Sequence, residues 1–224
     1  MKIDRAGLPF IVSAMLPAVA LVALRRTGWA VPLASLAGFF VFFFRDPDRE
    51  IPDDSHDPHM VLAPADGRVM HAGPADPEVA PEGSWTQVSI FLSPLDVHVN
   101  RTPVSGRILQ IDYHPGRFLP AYREEAAADN ERNEITIDHH GRTVVCRQVV
   151  GLLARRVVCR LVPGMDVTVG QRLGIMKFGS RMDVFLPPDS DIHVGVGEMV
   201  SGGQTLIARL RPNSDASEET VGRH

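Results

Sequence analysis

The chain has 224 residues and a mass of 24.5 kDa, which is enough for one medium-sized domain with an appendage but too small for two full domains. Apolar residues make up 44% of the chain and charged residues 22%, and this balance excludes intrinsic disorder and collagen-like sequence. The net charge of −4 gives no reason to expect a nucleic-acid partner. Cys146 and Cys159 are too few for a disulfide framework and lack metal-ligand spacing, so we predict no metal site and a reducing compartment.

Two apolar runs open the chain. Residues 6–24 form a run of 19 residues without a charge, and residues 29–44 form a second run of 16. A helix needs roughly 20 apolar residues to cross the hydrocarbon core of a bilayer, so the first run nearly reaches that length and the second falls short. A cleaved signal peptide would leave the second run without a purpose. A hairpin buried in a soluble core is the other alternative to membrane attachment.

Basic residues decide between two membrane arrangements. Residues 1–49 carry six Lys or Arg against three Asp, and Arg25 and Arg26 separate the two apolar runs. A spanning hairpin conflicts with the positive-inside tendency, whereas two short helices in one leaflet let every basic side chain reach the same interface. We therefore predict that residues 1–45 form an apolar helical hairpin, peripheral or monotopic at an anionic cell membrane, with the catalytic domain on the cytoplasmic side.

The composition changes after the second apolar run. Residues 46–60 are rich in Pro and Asp and predict a polar linker. Residues 61–210 show short apolar alternations between Gly and Pro, which are typical of strands, and the clearest examples are residues 86–92 and 134–138. We predict a mainly β domain here, a sandwich or barrel-like fold, followed by a disordered tail over residues 211–224.

Internal repeats refine this fold prediction. Residues 64–69 are echoed 39 positions later by residues 103–108, and residues 167–173 are echoed 33 positions later by residues 200–206. Each repeat is predicted to be a strand–turn–strand unit with Gly at the turn. Small quasi-symmetric β domains of this kind hold prosthetic groups at a hairpin tip, and that tip would fall at residues 176–181.

The predicted tip offers two chemistries. The run Met176-Lys177-Phe178 is similar to the Met-Lys-Met turn that carries biotin or lipoate, so Lys177 is a candidate carrier lysine. The pair Gly179–Ser180 offers internal peptide cleavage instead, because the serine hydroxyl can attack the preceding carbonyl and glycine does not obstruct it. That reaction leads through an ester and dehydroalanine to a pyruvoyl group, and it needs a base near the hydroxyl.

His98 and Asp66 are the candidate partners of that hydroxyl. His98 follows a predicted strand, and Asp66 lies on a tight turn where a carboxylate can hold an imidazole in one tautomer. The residues alone leave two other interpretations open: a half-buried structural histidine, and an aspartate that only forms its turn.

Three segments together resemble a known family. Pro64-Ala-Asp-Gly-Arg68, Phe91-Leu-Ser-Pro-Leu-Asp-Val-His98 and Lys177-Phe-Gly-Ser-Arg181 are similar, in order and separation, to the short, archaeal-type form of phosphatidylserine decarboxylase. The resemblance extends through about Leu210 and includes the apolar amino-terminal segment. It implies a proenzyme that cuts itself between Gly179 and Ser180.

The resemblance implies two chains and a covalent cofactor. A β chain of residues 1–179 and an α chain of residues 180–224 would form a heterodimer, with higher oligomers left open, and Ser180 would become the pyruvoyl group. That ketone would form a Schiff base with the serine amine of phosphatidylserine in an anionic membrane and accept the electrons left by CO2, giving phosphatidylethanolamine. No nucleic-acid partner is implied.

The resemblance also assigns roles to single residues. Asp66, His98 and Ser180 correspond to the triad proposed for self-cleavage. Longer bacterial members have a second histidine three positions after the first, and here that position is Arg101, which we predict to bind the substrate phosphate or carboxylate. The alternatives are a biotinyl- or lipoyl-type carrier using Lys177 and a serine hydrolase, which lacks the Gly-x-Ser-x-Gly elbow. We expect deletion of residues 1–45 to abolish liposome binding but leave cleavage intact.

Overall fold

The apolar amino terminus folds into a helical hairpin in the computed structural model, which describes residues 2–52, 57–123, 125–152, 157–177 and 179–212. A 3₁₀ turn at Arg5–Gly7 is capped by the Asp4 carboxylate, which accepts from the Ala6 amide. It leads into α1 (Leu8–Ala23), and a short link containing Arg25 in the left-handed region leads into α2 (Thr27–Phe43). The residues of the predicted tail from 213 onwards lie outside the described residues.

The remainder of the described chain is mainly β. One further helix, α3 (Ala126–Asp129), is a single turn. The predicted strand at residues 86–92 is found with those bounds, and the one at 134–138 lies inside a longer strand. The strands are β1 Lys2–Ile3, β2 Arg45–Asp46, β3 Met60–Leu62, β4 Gly67–Pro74, β5 Thr86–Leu92, β6 Val99–Arg101, β7 Gly106–His114, β8 Arg132–His139, β9 Arg142–Val150, β10 Val157–Cys159, β11 Asp166–Val167, β12 Arg172–Met176, β13 Ser180–Leu186, β14 Asp191–Ile192, β15 Met199–Val200 and β16 Leu206–Arg209.

Three antiparallel sheets enclose the main core. An eight-stranded sheet has the order β11-β7-β8-β9-β13-β5-β4-β15, and two three-stranded sheets have the orders β10-β12-β6 and β14-β16-β3. The core cluster draws side chains from all three sheets, including Ile90 and Val184 of the large sheet and Leu173 and Ile207 of the small ones. The prediction of a mainly β, sandwich-like fold is confirmed, and the described strands form no closed barrel.

A quasi-two-fold relation runs through this sandwich. In the large sheet β4, β5, β13 and β15 occupy the places that β7, β8, β9 and β11 occupy on the other half, and the two small sheets match in the same way. The repeated glycines keep equivalent registers, since Gly67 pairs with Val200 and Gly106 with Val167. This confirms the internal repeats. One half of the fold, β6 to β12, is inserted into the other, and the chain returns to the first half at Ser180.

The prediction of a hairpin tip at residues 176–181 is therefore wrong. β12 pairs with β10 and β6 in a small sheet, whereas β13 pairs with β5 and β9 at the centre of the large sheet. Met176 therefore ends a strand in one layer of the sandwich, and Ser180 begins a strand in the other. A crossing link in the middle of a sheet is far more constrained than an exposed hairpin turn.

The helical hairpin has a packed side and an open side. Small residues such as Ala14, Ala18 and Ala37 are buried where α1 meets α2, while Leu16 and Trp29 are 65% and 73% exposed. The segment Arg5–Ala23 is 19 residues long with a mean hydropathy of 2.1, which is long and apolar enough to cross a membrane, and Thr27–Phe43 is shorter.

Candidate functional site

Ser180 lies at the centre of the large sheet. It is the first residue of β13 and pairs with Leu92 of β5 and Val150 of β9. Because side chains alternate along a strand, Ser180 points to the same face as Met182, which belongs to the main core. Its side chain is fully buried, and among the described residues its Oγ has no hydrogen-bond partner. A buried hydroxyl without a partner is costly, so its presence calls for a functional explanation.

The residue before Ser180 has a conformation suited to glycine. Gly179 has a φ of +68°, in the left-handed region that costs other residues about 1–2 kcal/mol. Its carbonyl oxygen lies against the Cα of Gly151, where a Cβ would come within 2.0 Å of that oxygen. Gly151 therefore gives the carbonyl ahead of Ser180 the space it occupies. The sequence analysis missed Gly151 because nothing in its local sequence distinguishes it from a turn glycine.

His98 is held beside the Gly179–Ser180 bond. Its Nε2 lies 3.3 Å from the Gly179 amide nitrogen, and its Nδ1 lies 3.0 Å from the Asp96 carbonyl oxygen. The amide can only donate, so Nε2 accepts and Nδ1 carries the proton that it donates to Asp96. The group that fixes the tautomer is thus the backbone carbonyl of Asp96.

Burial controls the charge of His98. The side chain is fully buried, and the ring of Phe43 from α2 lies 4.2 Å from the imidazole, centroid to centroid. This desolvation lowers the pKa of His98 from 6.5 to about 4, the hydrogen bond to the Asp96 carbonyl opposes the shift, and the charge of Arg45 adds to it. His98 is therefore neutral near pH 7 and able to accept a proton.

Asp66 is bound by an arginine and a backbone amide. Its carboxylate accepts from Arg49 at 2.6 Å and from the Gly202 amide at 2.7 Å, whereas none of its hydrogen bonds in the described chain reaches His98. Burial raises the pKa of Asp96, and the negative charge of Asp66 raises it further. The structure therefore places Asp66 in the charge environment of the loop that carries His98.

Arg101 has structural partners. Its guanidinium donates to the Gly170 carbonyl at 2.9 Å and to the Pro47 carbonyl at 3.0 Å, and it lies 3.6 Å from the Asp46 carboxylate. The side chain is nearly buried, and burial is the main cause that lowers its pKa. These contacts tie the segment after α2 to the turn between β11 and β12. Substrate binding by Arg101 stays a prediction.

Lys177 is not displayed as a carrier lysine would be. It lies in the link between the two layers, is half-buried, and has its Nζ 4.9 Å from the centroid of the Phe10 ring in α1. A carrier lysine needs an exposed hairpin tip so that its prosthetic group can swing between sites. The carrier alternative is therefore not favoured.

An apolar cavity adjoins the Gly179–Ser180 bond. Its volume is about 250 Å³, and Gly179 forms part of its wall. The large exposed side chains Tyr122 and Leu152 stand at this cavity, and the ring of Tyr122 meets the edge of Phe91. The wall is completed by Phe91, Pro94, Pro120 and Ala121. The lining is therefore mainly apolar, and Gly179 places the scissile bond at its wall.

Comparison with known proteins decides the family. The family model described as phosphatidylserine decarboxylase matches residues 36–208 of this chain. The chain belongs to the phosphatidylserine decarboxylase family. It is 46% identical over 210 residues to the phosphatidylserine decarboxylase proenzyme of Solibacter usitatus, which covers 93% of this chain and 97% of that protein. The proenzymes of Chlorobaculum parvum and Nitrosomonas eutropha are 46% and 42% identical, over 80% and 93% of this chain and 83% and 95% of theirs.

Membership in the phosphatidylserine decarboxylase family confirms the resemblance seen in the sequence and makes the chain a carboxy-lyase. The matched range contains Asp66, His98, Gly179 and Ser180. It also includes the end of α2, from which Phe43 reaches His98.

Proposed function

We propose that the chain is a proenzyme that cuts its own backbone between Gly179 and Ser180 and then, with a pyruvoyl group made from Ser180, converts phosphatidylserine to phosphatidylethanolamine and CO2. One observation carries the proposal: the buried Ser180 hydroxyl lacks a partner in the described chain, and the neutral imidazole of His98 lies one residue away on the Gly179 amide.

Self-cleavage follows from these groups. The Ser180 Oγ attacks the Gly179 carbonyl carbon, and the C–N bond breaks to leave an ester and the free amine of residue 180. Loss of the Ser180 α-proton then expels the Gly179 carboxylate as a new carboxyl terminus, and hydrolysis of the resulting dehydroalanine releases ammonia. His98 takes the hydroxyl proton in the first step, since its Nε2 is unprotonated and lies at the Gly179 amide. Gly151 leaves room for the carbonyl oxygen on which negative charge develops.

The residues around position 180 fit a pyruvoyl group. Ser180 has a fully buried side chain whose Oγ has no partner among the described residues, so replacing its CH2OH by the methyl of a pyruvoyl group breaks no existing hydrogen bond of that side chain. When formed, the group supplies the electron sink for decarboxylation. We assign His98 the relay of a proton to the substrate carbon, because its Nε2 lies at the Gly179 amide, next to this position. The cavity beside Gly179 orients the substrate.

Asp66 and Arg45 set the charge around His98 in this proposal. Arg45 donates to the carbonyl oxygens of Phe42 and Leu95, at 2.9 and 2.7 Å, and both Asp66 and Asp96 act on its charge. We propose that Asp66 is a positioning residue that offsets Arg45 and keeps the Asp96 loop in place. Loss of Asp66 would therefore weaken self-cleavage through His98.

We further propose that the hairpin holds the enzyme on the cytoplasmic face of the cell membrane, as a peripheral or monotopic protein. Its open side carries apolar side chains into the acyl region. The exposed Leu95 lies beside the membrane end of the domain, because Arg45 joins its carbonyl to the end of α2. The substrate headgroup can then enter the cavity at Pro94 while its acyl chains stay in the bilayer.

The test is decarboxylation of a defined membrane. Purified wild-type protein is mixed with vesicles of phosphatidylserine and phosphatidylcholine, and CO2 and phosphatidylethanolamine are measured. We expect equal amounts of both products, complete loss of activity after treatment with phenylhydrazine, which reacts with ketones, and no activity in Ser180→Ala. Full activity in Ser180→Ala, or resistance to phenylhydrazine, would overturn the proposal. A mass gain at Lys177 would favour the carrier instead.

A further inference from the structure

The end of α2 forms one wall of the His98 site. Phe43 is fully buried, and its ring packs on the imidazole with centroids 4.2 Å apart. Phe43 and Phe44 share a hydrophobic cluster with Val97 and Val99, the two neighbours of His98 in the sequence, and with Ile175 of β12. The side chains on both sides of His98 therefore pack against the last turn of the apolar hairpin.

The other helix of the hairpin reaches the cleavage link. Phe10 of α1 lies under the ammonium group of Lys177, at 4.9 Å from ring centroid to Nζ. The Phe10 ring also stacks on Phe44, at 5.4 Å between centroids, and touches Phe40 at 5.5 Å. A continuous group of aromatic rings thus connects Lys177, which lies two positions before Gly179, with the wall of the His98 site.

The base of the hairpin is fixed to the β domain by polar contacts. The Asp4 carboxylate, almost fully buried, accepts twice from Arg160 at 2.7 Å, and the Asp4 amide donates to the Phe44 carbonyl at 2.8 Å. β1 pairs with β2 on either side of the hairpin, with Lys2 opposite Asp46. A segment that only tethered the domain to a membrane would not need this network, because a flexible linker would do.

We infer that the base of the hairpin completes the catalytic site, with Phe43 as the positioning residue that holds the imidazole of His98 against Gly179. The inference rests on the proposed self-cleavage. It divides the hairpin into a base that serves chemistry and a distal part, including Leu16 and Trp29, that faces the membrane. It replaces our expectation that deletion of residues 1–45 leaves cleavage intact, because that deletion removes Phe43.

The loss of Phe43 has a specific electrostatic consequence. The groups facing His98 are the Asp96 carbonyl, the Gly179 amide and the charge of Arg45, and the Phe43 ring excludes water from its remaining side. When water enters, the protonated imidazole is better solvated and its pKa moves up towards 6.5. The acid limit of the cleavage rate, near pH 4 in the wild type, should then move to higher pH.

The experiment follows self-cleavage of full-length proenzyme made by pulse-labelled cell-free synthesis in detergent micelles and transferred to buffers from about pH 4 to 8. For Phe43→Ala we expect the acid limit to rise by about one pH unit, which makes cleavage about twofold slower at pH 5. Phe43→Leu fills most of the space and should lie between Phe43→Ala and the wild type. Phe185→Ala, which removes another fully buried ring, is the matched control and should leave the acid limit unchanged.

The outcomes separate the two hypotheses. An uncut wild type would refute the proposed function itself. A wild type that cuts, together with Phe43→Ala and Phe43→Leu variants that keep its rate and acid limit, would overturn the role of Phe43. If Phe43→Ala fails to fold, Phe43→Leu decides: an acid limit equal to that of the wild type and of Phe185→Ala contradicts the inference, and a raised limit supports it.

Discussion

At the scale of single residues, the site depends on groups that a motif does not contain. Ser180 and His98 stand out in the sequence, but the atom that selects the imidazole tautomer is the backbone oxygen of Asp96. The space for the scissile carbonyl comes from Gly151, which directly follows β9. Chemistry at one bond therefore depends on residues brought together by three separate parts of the chain.

Gly151→Ala tests the space around the scissile carbonyl. The added methyl would lie 2.0 Å from the Gly179 oxygen, so the carbonyl must shift, at a cost of about 1–3 kcal/mol, and self-cleavage should slow at least about tenfold. The matched control is Gly38→Ala, where a Cβ meets nothing within 4 Å. Both are scored by the ratio of cut to uncut chain on a denaturing gel. Equal cleavage in the two variants would remove Gly151 from the site.

The low pKa of His98 predicts how stability changes with pH. The unfolded chain binds a proton at this histidine below pH 6.5, while the folded chain binds it only near pH 4. The contribution of His98 to stability is therefore complete above pH 6.5 and is lost as the pH falls towards 4, by about 3 kcal/mol at most. Urea unfolding of Ser180→Ala should show this loss, and Ser180→Ala with His98→Gln should lack it. Parallel curves for the two proteins would contradict the assigned pKa.

At this scale, the sequence could predict only those parts of the site that are formed by residues adjacent in the chain. Gly179–Ser180 is a local pair, so the sequence alone was enough to propose it as the cleavage site. Phe43 and Gly151 act across long separations, and a phenylalanine in an apolar run or a glycine after a strand is indistinguishable from many others. Their roles exist only once β13, β9 and α2 are packed together.

At the scale of elements, the quasi-two-fold relation puts similar backbone at both ends of the sandwich. His59 is at the position in one half of the fold that is equivalent to His98 in the other. The His59 carbonyl accepts from the Leu210 amide, just as the His98 carbonyl accepts from the Met176 amide. Ser180 pairs with Leu92 in one half of the sheet, and Arg142 pairs with His139 at the equivalent position in the other. The preceding residues are also alike, since Gly141 has a φ of +77° and Gly179 a φ of +68°. Gly141 is followed by Arg142, whereas Gly179 is followed by the serine that the proposed cleavage needs. The repeats were visible in the sequence, but the insertion of one half into the other was not.

The distal part of the hairpin should bind membranes independently of the chemistry. Replacing Leu16 and Val19, 65% and 58% exposed on α1, by Glu should weaken binding by about 2–3 kcal/mol each, because a charge is expensive in the acyl region. The control is Leu109→Glu, an exposed leucine of β7. Flotation with vesicles containing phosphatidylserine measures binding. If the Leu16→Glu/Val19→Glu variant floats with the vesicles as well as the wild type does, the hairpin is not the membrane anchor.

At the scale of the whole molecule, the proposed cut falls where the fold can tolerate it. β13 begins at the new terminus and stays between β5 and β9, with Ser180 to Leu186 paired along β5 and Ser180 to Phe185 along β9. β14, β15 and β16 extend the same chain into two more places in the sandwich. The smaller chain can dissociate only if a central strand loses its partners on both sides.

This topology predicts that the two chains remain together. After self-cleavage, fragments 1–179 and 180–224 should elute as one species in native size-exclusion chromatography and separate only in denaturant. A tag on the amino terminus should retain the smaller fragment on an affinity column in physiological buffer. Recovery of the larger fragment alone, still folded, would contradict the central position of β13.

The sequence predicted the class of the fold but not this arrangement. Strand patterns such as residues 86–92 indicate β structure, because alternation depends on local burial. They do not specify which strands pair, and so the prediction of a hairpin tip at residues 176–181 is wrong. The placement of β12 and β13 in different sheets follows from long-range pairing.

The account depends on one event, the breaking of the peptide bond before Ser180, and intact-mass analysis with a denaturing gel measures it most directly. We expect purified, active protein to yield two chains, 1–179 and 180–224, with the smaller one blocked at its amino terminus and lighter than an unmodified fragment, as replacement of the serine by a keto group requires. A single active chain of 224 residues with an ordinary serine at position 180 would contradict it.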